Sequence, residues 1–309
     1  MAHFTAATIS VPATTANIGP GFDCLGAALS LHNRFTFSHL DAAPGTVEIT
    51  ATGAERDRVQ TDATNLAYQA FTKFYQHIGQ PVPAVKIDID LGVPLARGLG
   101  SSATAIVGGL VGADALTDFS VSRAEVMQLA IAMEGHPDNV VPALIGGCQL
   151  AATNPHNDWE ICNIPWHESI APIVAIPDFE LSTAEARRVL PTDYSRADAI
   201  FNTAHLGLLL RGLETGNADW LEAALHDRIH QPYRQALIPG YQAVYQAAME
   251  SGAYGLVISG AGPTLLALAD HAKAEAVKAA IAAAWKAHEI QVTVTVLQID
   301  RTGANTQIL

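Results

Sequence analysis

The chain has 309 residues, 49% of them apolar, and carries 30 acidic against 17 basic side chains for a formal charge of −13. That length supports one large or two ordinary domains with substantial cores. The acidic balance argues against a broad nucleic-acid or anionic-membrane surface, so no nucleic acid and no membrane is expected as partner. Cys24, Cys148 and Cys162 form an odd, sparse set with no metal-ligand spacing and no disulfide framework, as expected of a cytoplasmic protein. Met1-Ala2-His3-Phe4-Thr5 lacks the basic segment and apolar core of a signal peptide. The most apolar run, 103–113, contains glycines and is too short to span a bilayer.

In chain order, residues 4–11 read as a strand ending at Pro12. Residues 13–26, rich in small side chains, read as a functional loop or helix start. Strands are expected over 29–39 and 46–52, and a helix over 65–77, where Leu66, Ala70 and Phe74 recur at helical spacing. Residues 85–91 alternate with period two and form a clear strand. Helices follow over 102–116 and 123–133, then strands over 144–152 and 173–176, then helices over 184–189, 196–213 and 220–225. Strands at 255–259 and 265–269 bracket a Gly260-Ala261-Gly262-Pro263 turn, followed by an alanine-rich helix over 272–288 and a last strand over 292–299. Strands and helices mix without a strict βαβ repeat, so the class is α+β. The polar, proline-bearing stretch 154–166 is the candidate boundary, dividing the chain into 1–158 and 159–309.

The segment most informative about chemistry is Pro94-Leu95-Ala96-Arg97-Gly98-Leu99-Gly100-Ser101-Ser102-Ala103-Thr104. Two glycines let the backbone curl so that its N–H groups face one point, and the helix that follows adds unpaired donors and the positive end of its dipole. Taken alone it could be a capped turn. Gly98-x-Gly100-x-x-Ala103 also fits a dinucleotide fingerprint, which would make the protein a nicotinamide-dependent oxidoreductase. That fingerprint wants its glycines directly after a strand, whereas residues 92–97 and Pro94 intervene here. No Gly-Lys pair occurs, which excludes a Walker loop.

Other segments offer complementary groups. Pro12 to Asp23 is a polar, glycine-bearing loop in which Asn17 can donate and accept and Asp23 brings charge. Glu134-Gly135-His136-Pro137-Asp138-Asn139 reads as a helix-to-strand turn that packs two carboxylates, an imidazole and an amide into six residues, a set that can serve both Mg²⁺ and a polar substrate. Thr183 and Arg187 share a helix face. His230-Gln231-Pro232-Tyr233-Arg234 reads as the end of a helix, stopped at Pro232.

The first loop, the 94–104 loop and the Gly260 to Thr264 turn, in this order and spacing, resemble the three motifs of the GHMP kinases over nearly the whole chain. Within that family, the 134–139, 182–187 and 230–234 segments are similar to those of the members that phosphorylate homoserine for threonine biosynthesis. Thr15 and Thr104 depart slightly from the usual residues while keeping size and polarity. The resemblance implies a two-domain fold: an N-terminal domain like the second domain of ribosomal protein S5, and a ferredoxin-like C-terminal domain. It implies ATP on residues 94–104, Mg²⁺ facing Ser102 and Glu134, and L-homoserine among Asn17, Asp23, His136, Asp138, Thr183, Arg187 and Arg234. Asp138, Asn139 and Arg187 would act on the reaction itself, and the protein would be a homodimer. The chemistry agrees. Two arginines suit the substrate carboxylate, Asp138 and Asp23 suit its ammonium, and Asn139 can hold its hydroxyl in line with the γ-phosphate. Asn139 stands where relatives carry an aspartate base, so catalysis is expected to work by positioning and charge neutralisation, as suits a loose phosphoryl transition state.

Overall fold

A computed structural model describes residues 6–119 and 121–309 of the chain. The first four-tenths of the chain builds β1 (Ala6–Asn17), β2 (Gly21–His39), β3 (Val47–Thr52), α1 (Leu66–His77), β4 (Val85–Asp90) and α2 (Ser101–Leu116). There follow α3 (Arg123–Glu134), α4 (Pro137–Ile145), β5 (Cys148–Thr153) and β6 (Trp159–Ile164). The remainder supplies β7 (Ile170–Pro177), α5 (Thr183–Arg188), α6 (Arg196–Thr215), α7 (Ala218–Ala224), α8 (Gln231–Arg234) and α9 (Tyr241–Glu250). It closes with β8 (Ala253–Ile258), β9 (Leu265–Asp270), α10 (His271–Ala287), β10 (Val292–Val296) and β11 (Asn305–Ile308). Of the first expected strand, residues 4 and 5 lie outside the described residues. No helix among those described is long and apolar enough to cross a membrane.

One sheet runs in the order β11-β1-β2-β4-β3, with β5 paired to the first half of β2 and β6 paired to β5. β4 turns Val85, Ile87 and Ile89 inward, as its alternation requires. The Asn65 side chain caps α1 by accepting from the Ala67 and Tyr68 N–H groups, and the helix buries Ala67, Ala70, Phe71 and Phe74. α2 crosses the sheet at close range. A Cβ on Gly108 or Gly112 would come within 2.5 or 2.3 Å of the Phe35 and Phe37 rings of β2. This explains glycines inside so apolar a helix.

The second sheet, β10-β7-β9-β8, is antiparallel throughout. α9 ends the long connection from β7 to β8, after α5 to α8, and α10 connects β9 to β10, which is the ferredoxin-like arrangement with α5 to α8 inserted. One face packs Ile173, Leu256 and Leu265 against Val244, Val277, Ile281 and Trp285 of α9 and α10. The other packs Val174, Val257 and Leu266 against Leu209, Leu213 and Leu221 of α6 and α7. The same cluster takes in Ile18, Leu25, Leu29 and Leu99 from the first sheet's side. The two halves therefore share a core, and the first turn and the phosphate loop are rooted in it.

Three expectations change. Residues 13–26 are neither loop nor helix start: β1 continues to Asn17 and β2 begins at Gly21, joined by a tight turn. In place of a turn over 134–139 leading to a strand from 144, residues 137–145 form α4, because Pro137 at its first turn starts a helix rather than ending one, and the strand begins only at Cys148. Pro232 likewise stands at the start of α8, not at a helix end. The division at 158/159 falls in the β5–β6 turn. Pairing keeps β6 with the first sheet, and β11 returns to pair with β1.

Candidate active site

A cleft of about 690 Å³ opens where the phosphate loop, the β1–β2 turn, the start of α4, α5, α8 and the β8–β9 turn converge. The loop before α2 alternates into the left-handed region at Ala96 (φ 53°), Gly98 (φ 77°) and Gly100 (φ 65°). Such alternation curls consecutive N–H groups toward one side and makes an anion nest. Gly98 also has to be glycine for packing, because a Cβ there would sit 2.4 Å from the Ser259 carbonyl oxygen. At Gly100 a Cβ would sit 2.0 Å from Thr14 Oγ1. Leu95, Ala96, Arg97, Gly98, Gly100, Ser101 and Ser102 line the cleft. Pro94 instead faces a separate hollow behind the loop. Leu99 and Ala103 are buried in the core. Thr104 Oγ1 donates to the Ser101 carbonyl and accepts from Asn33 Nδ2, so its hydroxyl is spent inside the protein.

Ser102 Oγ donates to Glu134 Oε1 at 2.8 Å, joining the first turn of α2 to the last residue of α3. Burial raises the Glu134 pKa, partly countered by this bond. Among the described residues no three His, Cys, Asp or Glu side chains gather as an all-protein metal cage. One carboxylate beside one hydroxyl at a phosphate loop is nevertheless the donor set Mg²⁺ uses when phosphates and water complete its shell.

α4 aims its N-terminus into the cleft. It approaches β2 so closely that a Cβ on Gly26 would fall 1.7 Å from the Asp138 carbonyl oxygen. Asp138 is buried, and its Oδ1 lies 2.5 Å from His136 Nδ1 and accepts from Asn139 Nδ2. The bond to Asp138 is the main reason the His136 pKa is raised. Asn139 Oδ1 accepts from the buried Thr14 hydroxyl at 2.8 Å, which fixes which way the amide faces.

Across the cleft, Asn17 has φ 71° and spends its side chain on the turn itself. Its Nδ2 donates to the Gly260 carbonyl, and its Oδ1 accepts from the Asp23 N–H. Asp23 receives a two-pronged ion pair from Arg187, at 3.0 and 2.8 Å, which raises the arginine's pKa. Thr183 opens α5 beside Ser182, whose capping box starts the helix.

Arg234 differs from Arg187. It is only 2% exposed, its Nε donates to the Ala186 carbonyl and its Nη1 to that of Gly260, and among the described residues it forms no ion pair, with Asp23 and Asp227 acting on it only from a distance. Burial pulls its pKa down, with Arg187 adding to the effect. Phe22 stacks on His230 at 5.1 Å and presents its ring face to Arg234, also at 5.1 Å.

Every residue expected around the substrate lines the cleft: Asn17, Asp23, His136, Asp138, Thr183, Arg187 and Arg234, with Asn139 beside them. Several lining groups had no signal in the sequence. The wall beyond the loop comes from Val59, Asn65, Leu66, Ile89, Leu91 and Ala105, gathered from four separate stretches of the chain. Thr14, Asn33 and Ser259 support the loop from behind. Asn33 Oδ1 accepts from the Gly92 and Val93 N–H groups, and Ser259 Oγ donates to the Gly98 carbonyl. The β8–β9 turn was visible as a motif, but its bond to Asn17 was not.

Comparison with known proteins places this geometry. Residues 65–147 match the GHMP kinases N terminal domain, and residues 209–287 match the GHMP kinases C terminal domain. The homoserine kinase of Trichormus variabilis is 65% identical over 304 residues, covering 98% of this chain and 100% of that protein. That of Nostoc punctiforme is 66% identical, with coverage of 98% and 99%. The crystal structure of homoserine kinase from Cytophaga hutchinsonii superposes with a TM-score of 0.90 at 27% identity, covering 99% of each chain. A mevalonate kinase from L. major shares the fold, with a TM-score of 0.70 at 15% identity. The chain thus belongs to the GHMP kinase family, among its homoserine kinases.

Proposed function

We propose that this protein transfers the γ-phosphoryl group of ATP to the side-chain hydroxyl of L-homoserine, giving O-phospho-L-homoserine for threonine biosynthesis. The observation that carries this reading is Arg234. A buried guanidinium that forms no ion pair among the described residues, opening into the same cleft as a phosphate loop, suits a small anionic acceptor bound beside a nucleotide. Arg187 reaches the same region from the far side but is held by Asp23. The substrate carboxylate would therefore rest chiefly on Arg234, with Arg187 as its neighbour. The ammonium would lie toward Asp138 and Asp23. This revises the expectation of two equivalent arginines.

The left-handed loop and the first turn of α2 would hold the triphosphate, and the apolar wall from Leu66 to Leu91 would face the base. Ser102 and Glu134 would hold Mg²⁺, which when bound neutralises charge on the phosphates. Asn139, fixed by Thr14, would orient the acceptor hydroxyl toward the γ-phosphorus. The new O–P bond forms as the bond from the γ-phosphorus to the bridging oxygen breaks. ADP departs, and the hydroxyl proton passes to a phosphoryl oxygen and on to solvent. No side-chain base is required, because a loose transition state leaves the hydroxyl proton in place until late. Phosphorus NMR of a mixture of protein, Mg-ATP and L-homoserine tests the reading. A phosphomonoester signal matching O-phospho-L-homoserine is expected. ADP and inorganic phosphate alone would refute it.

A further inference from the structure

Arg97 belongs to the phosphate loop by sequence, yet its guanidinium is spent on the protein. Its Nε donates to the Pro177 carbonyl at 3.1 Å and its Nη2 to that of Asp178 at 3.3 Å, both at the end of β7. Its Nη1 donates to Leu95 of its own loop at 3.0 Å. Two carboxylates flank it, Glu180 at 3.2 Å and Glu55 at 3.7 Å. The same two carboxylates both meet Arg58, at 2.8 and 2.9 Å. Glu55 also accepts from the Leu95 N–H at 2.6 Å. Alternating charges thus join three segments: the 55–60 stretch beside the nucleotide wall, the phosphate loop, and residues 177–180. Residues 177–180 lead directly to the Ser182 cap of α5, the helix that carries Thr183 and Arg187.

We propose that Arg97 is a positioning residue that couples the nucleotide half of the cleft to the acceptor half. Ordering the phosphate loop and placing α5 then become one event. The proposal rests on reading the loop as the ATP site and α5 as part of the homoserine site. Only a guanidinium suits the task. Its planar fork reaches carbonyls of two segments at once, whereas an ammonium is a point donor. Because coupling between sites is reciprocal, each ligand must tighten the other by the same factor.

Calorimetry with a non-hydrolysable ATP analogue plus Mg²⁺, with and without saturating L-homoserine, tests this in wild type, Arg97→Met, Arg97→Lys and Glu180→Gln. In wild type each ligand should tighten the other by roughly 5- to 150-fold. Arg97→Met and Arg97→Lys should bring that factor close to one and raise KM for both substrates more than they lower kcat. Glu180→Gln leaves the three carbonyl bonds in place at a half-exposed site, so it should fold normally and show a reduced factor. It decides the matter if the Arg97 variants do not fold. Coupling as strong in the variants as in wild type, no coupling in wild type, or a loss confined to the nucleotide would overturn the inference alone. A wild-type protein that binds the analogue but not L-homoserine would overturn the substrate reading and the coupling together.

Discussion

Replacing Arg234 by methionine separates binding chemistry from folding. The substitution removes a buried cation, its donors to the Ala186 and Gly260 carbonyls, and its contact with the Phe22 ring. A carboxylate bound in a desolvated site without its charged partner loses about 2–5 kcal/mol. At about 1.4 kcal/mol per tenfold, kcat/KM for L-homoserine should fall roughly 30-fold to a few thousand-fold. Stability should change far less. The Ala186 carbonyl loses its Arg234 donor at a cost of about 1–3 kcal/mol, the Gly260 carbonyl keeps Asn17 Nδ2, and exchanging a buried charge for an apolar chain of similar size returns about 1–4 kcal/mol. The assay is coupled ADP release with L-homoserine and with its carboxylate-free amino alcohol, beside a thermal melt. The amino alcohol should be a poor substrate of wild type and nearly indifferent to the substitution. An equal loss with both substrates would mean that Arg234 is structural or faces phosphate, and the argument from its missing counter-ion would fail.

Thr14→Val keeps the shape of β1 but leaves Asn139 Oδ1 without its donor, so the amide loses its fixed direction. Steady-state kinetics should show kcat reduced about 10- to 100-fold with KM for ATP almost unchanged. Glu134→Gln should raise the Mg²⁺ concentration needed for half-maximal activity, because a neutral amide is a weaker ligand for a hard cation. Since burial raises the Glu134 pKa above 4.5, wild-type Mg²⁺ titrations should weaken as pH falls through that raised value, and the variant should lack this acid limb. The bond to Asp138 raises the His136 pKa above 6.5, so its stabilisation is complete below that value and is lost as pH rises through the folded-state pKa. Urea unfolding should therefore show His136→Gln less stable than wild type below pH 6.5, with the gap narrowing as pH rises through the raised pKa.

Local signals carried much of this architecture. β4 declares itself by alternation, α1 by its spacing, and β8 and β9 by the glycine turn between them. The phosphate loop was legible because only a few residue types let a backbone curl that tightly. α4 was hidden because its residues, Val140 to Ile145, are apolar on every side. A fully buried helix and a buried strand look alike over so short a run. The inner halves of β1 and β2 carry no strand signal because small residues dominate them, and bulges and shared core packing hold the strands there. In the site, the residue types were legible but their pairings were not. Asp23 lies 164 positions from the arginine it binds, and Asn17 lies 243 from Gly260. The wall beyond the loop left no local trace, since Leu66, Ile89, Leu91 and Ala105 look like ordinary core residues of their own elements.

The most direct measurement of the central claim is kcat/KM for Mg-ATP-dependent ADP release across L-homoserine, L-serine, mevalonate and galactose. L-homoserine should be the best acceptor. L-serine, one methylene shorter, should fall about 10- to 200-fold below it. Mevalonate has no ammonium for Asp138, and galactose has neither ammonium nor carboxylate, so both should stay near background. Mevalonate or galactose turning over faster than L-homoserine would contradict the account.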